Sequence, residues 1–109
     1  MPEIYPLPPY LPRHGEYKVP GGKLVVIDFT VAQDRLHSVR LSGDFFLEPP
    51  ETLDLLNAAL EGQRVDLDDG QWMALLKQAL PPDTELYGLT LEAIVIVLHR
   101  GLDNGRAAQ

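Results

Sequence analysis

The chain has 109 residues, 45% hydrophobic and 23% charged, with a net charge of −7; this is the size and balance of one globular domain. Cysteine is absent, which excludes disulfides, thiolate metal sites, iron–sulfur ligation and cysteine nucleophiles together. The acidic balance opposes phosphate backbones, so nucleic acid is not an expected partner; with no bilayer-length apolar run and no basic-then-apolar leader, the expectation is a cytoplasmic protein without a membrane partner.

Residues 1–14 form a proline-rich arm, with prolines at 2, 6, 8, 9 and 12 among Tyr5, Leu7, Tyr10 and Leu11. Proline joins neither a helix interior nor a central strand, so the arm is extended or polyproline-like. Two readings stay open: a tail on or off the globule, and an arm that packs on a partner through its aromatic residues.

A first strand is predicted over about Gly15–Val19 and a second over Leu24–Ala32, where Val25, Ile27, Phe29 and Val31 share one parity. That alternation marks a strand with one face in a core. Between them, Pro20-Gly21-Gly22 reads as a corner: proline presets the second position of a type II turn and glycine supplies the positive φ of the third. Lys18 and Lys23 flank it. Gln33-Asp34 is a tight connection to a third strand, Arg35–Ser42, with His37, Val39 and Leu41 on one parity. Gly43-Asp44-Phe45-Phe46-Leu47 is expected to close the sheet. Two adjacent phenylalanines on an extended chain cannot both enter one core.

Helical signals follow. Pro49-Pro50 suits a helix start, Leu53, Leu56 and Leu60 make a stripe widened by Leu55 and Ala59, and Gly62 is a stop. A second helix begins near Asp68 with Gln71 as capping-box partner, carries Trp72, Leu75, Leu76 and Ala79 on one face, and ends before Pro81-Pro82. The run Ala93–Leu98 is rich in β-branched residues, and period alone does not settle it. Thr90 as N-cap, Glu92 in the first turn and the face Leu91, Ile94, Val95, Leu98, Leu102 favour a helix. Residues 103–109 are expected to be disordered. Strands first and helices after give an α+β fold, a small antiparallel three-stranded sheet packed against about three helices.

Chemical motifs are sparse. Gly-Gly-Lys at the corner lacks the upstream glycine and the Ser or Thr after the lysine that a phosphate loop requires. His14, His37 and His99 are scattered, so a metal site is not expected. Asp66, Asp68 and Asp69 lack the distal glutamate of a calcium loop and read as a helix-capping loop. Ser38 and Ser42 have no nucleophile-elbow context, and Glu48 and Glu51 are explained by a helix N-terminus. The corner is either an ordinary hairpin or one whose lysines touch a partner or its anionic ligand.

Lys18-Val19-Pro20-Gly21-Gly22-Lys23-Leu24-Val25, followed by Ser42-Gly43-Asp44-Phe45-Phe46, resembles the accessory domain of lipoate–protein ligases. That domain is C-terminal in most of these enzymes and a separate small subunit in split ones. The resemblance runs from about Gly15 to Leu102, which would make 15–102 the accessory domain, and the arm lies outside it. It implies a subunit that is inactive alone, binds the catalytic subunit of a lipoate–protein ligase and supports lipoyl-adenylate formation, serving lipoyl-acceptor domains indirectly. The complex is then expected to use ATP, Mg2+ and lipoate, with no cofactor bound by this chain and no catalytic residue on it. Lys18, Pro20, Gly21, Gly22, Lys23, Asp44, Phe45 and Phe46 become the expected partner-binding or active-site-supporting residues. The family's fold is also likened to sulfur-transfer and iron–sulfur scaffolds, but those functions need a cysteine. An adaptor unrelated to lipoate, using Phe45, Phe46, Tyr5 and Tyr10, is the alternative.

Overall fold

A computed structural model of the protein describes residues 11–107, which form an α+β fold. Strands β1 (Leu11–Lys18), β2 (Leu24–Ala32) and β3 (Arg35–Gly43) make an antiparallel sheet in the order β1-β2-β3. The three helices are α1 (Thr52–Leu60), α2 (Asp69–Ala79) and α3 (Leu91–Ala107). The core lies on the sheet face bearing Val25, Ile27, Phe29 and Leu41, packed with Leu56, Leu60, Trp72, Leu76, Ile94 and Leu98. The other face carries His14, Glu16, Lys18, Asp28 and Arg40 and is exposed.

Local rules explain most element ends. Asp68 and Gln71 form the expected capping box on α2, and Ala93 N–H donates to Thr90 Oγ1 at the start of α3. Gln33 and Asp34 both have positive φ, 55° and 63°, the geometry of a two-residue hairpin turn whose twist matches its strands. Helix α1 begins at Thr52, just beyond the prolines; it buries Thr52, Leu56 and Leu60, while Leu55 is exposed.

Helix α3 lies across β1 and β2 and also meets α2. Its approach is set by two glycines. A Cβ on Gly15 would meet Val97 O and lie 2.6 Å from Gly101 N, and one on Gly101 would lie 2.6 Å from Phe29 Cε1. Helix backbone therefore rests directly on strand backbone. Arg13 Nη1 donates to Leu102 O, and Arg100 Nη1 donates to Glu16 O, so α3 runs antiparallel to β1.

Several expectations are corrected. β1 begins at Leu11, four residues before Gly15, because Leu11–His14 continue the ladder opposite Asp28–Val31. The Pro12 nitrogen fits there because β1 is an edge strand. Residues 103–107, expected to be disordered, continue helix α3 to Ala107, directly after the turn that the Gly101 contact and the Arg13 bond to Leu102 hold against the sheet. The arm residues 1–10, with Tyr5 and Tyr10, and residues 108 and 109 lie outside the described residues.

The parity of β3 also differs. Asp28 pairs with Arg40 but Thr30 pairs with His37, so Ser38 and Val39 together oppose Phe29 in a bulge, with Ser38 at φ 56°. The slip puts Leu36 in the core beside Val39 and Leu41, where strict alternation expects His37. Finally, Gly43 ends β3 opposite Val25, but residues 44–47 do not continue the main sheet. Phe46–Glu48 is β4, which pairs antiparallel with β5 (Glu85–Tyr87) in a separate two-stranded ribbon.

Candidate functional site

The corner between β1 and β2 is the predicted turn. Gly22 N–H donates to Val19 O at 2.7 Å, Pro20 occupies the second position, and Gly21 takes φ 68° at the third. Val19 N–H closes the hairpin on Lys23 O at 3.1 Å. Lys18, Pro20, Gly21 and Lys23 are exposed, Gly22 partly so.

The corner is not isolated. Asp44 Oδ1 accepts from Leu24 N–H at 3.0 Å, which fixes the chain leaving β3 against the hairpin. The Lys23 stem lies over Gly88, where a Cβ would come 2.5 Å from Lys23 Cγ and 3.5 Å from Phe45 Cβ. Phe45 packs on the core, whereas Phe46 points outward and is 58% exposed. The adjacent phenylalanines thus divide as strand geometry requires. Phe46 stacks on Tyr87 of β5, with ring centroids 4.6 Å apart and planes 18° from parallel.

The structure therefore gathers the residues singled out in the sequence at one end of the molecule. Lys23, Phe45 and Gly88 are in contact, Leu24 and Asp44 are bonded, and Phe46 and Tyr87 are stacked. Lys18 pairs with Leu24 on the exposed sheet face. Leu24, Phe46 and Tyr87 are three of the exposed large hydrophobic side chains. Beside them is a shallow groove of about 270 Å³ lined by Phe45, Phe46, Leu47, Glu48, Pro50 and Leu53. Tyr87 and Gly88 escaped the sequence reading. A three-residue strand has no periodicity, and its role becomes visible only through its pairing with β4.

Other polar groups have structural work. Asp68 caps α2, Asp69 bonds His99 Nε2 at 2.6 Å, and Asp66 pairs with Arg64, which holds its carboxyl below the usual range. His14 bonds Asp28 through Nδ1 at 2.6 Å and Glu16 through Nε2 at 2.7 Å. Among the described residues, no three or more His, Asp or Glu side chains are grouped to hold a metal ion. No helix among them is long and apolar enough to cross a membrane.

No protein-family model matches the chain, and no curated protein matches it by sequence. Among solved structures, it is similar to a chain from an archaeal lipoylation system, a bi-partite lipoate protein ligase and its E2 lipoyl domain from Thermoplasma acidophilum. The TM-score is 0.61 at 17% identity, over 82% of this chain and 93% of that one. At that identity the likeness establishes a common fold.

Proposed function

We propose that this chain is the non-catalytic accessory subunit of a two-part lipoate–protein ligase. In this reading it binds the catalytic subunit and enables ATP-dependent lipoyl-adenylate formation, from which lipoyl groups pass to acceptor domains. The observation that carries it is the fold likeness, which spans 93% of a chain taken from a bi-partite ligase system. The convergence of the corner with Asp44, Phe45 and Phe46 supports it, since these are the residues of the family resemblance.

Adenylation develops charge on a phosphoryl group, and preorganised donors stabilise it. ATP, Mg2+ and lipoate belong to the catalytic subunit. The hairpin corner braces a loop of that subunit, and the fold that contains residues 15–102, together with the start of β1 and the end of α3, acts as the accessory domain. Bracing is favoured over direct catalysis because Lys18 is exposed and the Lys23 stem is committed to packing on Gly88.

The test is lipoate-dependent ATP–pyrophosphate exchange by a candidate catalytic subunit, with and without this protein. Exchange that needs both supports the reading. Unchanged exchange, with no co-elution of the two, overturns it and favours an adaptor unrelated to lipoate. Replacing Lys18 and Lys23 by alanine then separates the two roles. Bracing predicts weaker complex formation with turnover restored at saturating protein; direct participation predicts turnover that stays low in an intact complex.

A further inference from the structure

The outward face of the β4–β5 ribbon has an unusual layout. Its register pairs Phe46 with Tyr87 and Glu48 with Glu85, and all four side chains are exposed. The aromatic pair is stacked. One step along, two carboxylates stand directly opposite each other, an arrangement that costs stability in a strand pair. Tyr87 OH donates to Glu85 Oε2 at 2.9 Å, and both Glu85 and Glu48 lie close enough to hold the phenol above its usual pKa. No Lys or Arg of the described residues forms an ion pair with either glutamate. From the Lys23 stem over Gly88, the surface passes through the aromatic stack to the two carboxylates, with the groove of Phe45, Leu47, Pro50 and Leu53 alongside.

We propose that this ribbon face docks a basic–apolar segment of the catalytic subunit, in which an apolar side chain covers the Phe46–Tyr87 stack and an arginine sits between Glu48 and Glu85. The proposal rests on the accessory-subunit reading and adds the chemistry of the contact. Residues two apart on a strand face are about 6–7 Å apart, so one extended segment reaches both subsites. A planar guanidinium presents its donors as a fork to two carboxylates, and its flat face suits the neighbouring ring. The bound cation would also relieve the repulsion between the glutamates. Aromatic anchors with a charged rim are the usual composition of a strong contact.

The experiment measures the affinity of the full chain for the catalytic subunit by titration calorimetry at low and high salt, alongside the exchange assay. Glu48→Gln with Glu85→Gln is expected to weaken binding about tenfold and flatten its salt dependence. Phe46→Ala is expected to weaken it at least about tenfold at either salt. Glu92→Gln on α3 serves as a control for the loss of an acidic charge outside the ribbon, and circular dichroism confirms that every variant is folded. Binding and exchange that persist unchanged in the ribbon variants overturn the docking site and leave the accessory role standing. If the wild-type chain neither binds nor promotes exchange, both fall.

Discussion

At the scale of single residues, His14 shows what the exposed sheet face can sense. Its two ring nitrogens both meet carboxylates, first Glu16 and then Asp28, and these hydrogen bonds raise its pKa above the ordinary 6.5. Both bonds together require the doubly protonated ring. Because the folded-state value lies above the unfolded one, the contribution is full below pH 6.5 and is lost as pH rises through the raised value. Solvent screening at this half-exposed site keeps it small. Urea unfolding at a series of pH values should show stability declining on the alkaline side of 6.5, and His14→Gln should flatten that decline. Gly15 and Gly101 make a sharper case. An alanine at 15 meets helix backbone, which cannot rotate aside, so Gly15→Ala should cost about 2–3 kcal/mol. Gly101→Ala meets the edge of the Phe29 ring, which can yield, and gains roughly 1 kcal/mol of helix propensity. Its loss should be smaller, and smaller still with Phe29→Leu; equal losses for the two glycine variants would contradict this account.

At the scale of elements, the outer edge of β3 is managed by α1 and the loop after it. Glu61, at the C-terminal end of α1, accepts from Ser38 N–H through Oε2 at 2.9 Å and from Val39 N–H through Oε1 at 3.0 Å. These are the amides of the two residues that form the bulge opposite Phe29. Asn57 Oδ1 takes the Leu41 amide, and Leu36 exchanges backbone bonds with Gly62 and Gln63. Glu61→Ala should therefore cost about 1–3 kcal/mol, and amide exchange at Ser38 and Val39 should accelerate. Glu61→Gln keeps an acceptor for only one of the two amides and should fall between. None of this was legible from sequence. A glutamate beside a helix-stop glycine reads as solvated surface, and Ser38 in a positive-φ bulge breaks the alternation on which the strand was read. The caps of α2 and α3 were legible because Asp68, Gln71 and Thr90 act within a few residues of themselves. The β-branched run in α3 was settled by packing: Ala93, Ile94, Val95, Val97 and Leu98 are all buried, since sheet and α2 cover the helix from different sides.

For the whole molecule, the three strands of the main sheet, the three helices and the fold class followed from local signals, whereas β5, which interrupts the helices between α2 and α3, did not. The candidate surface was legible by half. Its hairpin corner and its phenylalanines carry strong turn and aromatic signals, but Tyr87, Gly88 and Glu85 reach it through a long-range pairing that leaves no trace in periodicity. The antiparallel run of α3 against β1 has a practical consequence. Arg13 meets Leu102 at one end of this pair, while the turn after Lys18 and the Gly88 contact lie at the other. The five residue steps from Arg13 to Lys18 along β1 separate these ends by about 17 Å. A tether placed ahead of Leu11 or after Ala107 would therefore anchor the protein by the pole opposite its aromatic ribbon. Immobilised that way, the molecule offers the ribbon to a flowing partner, whereas coupling through lysine amines risks masking the corner at Lys18 and Lys23.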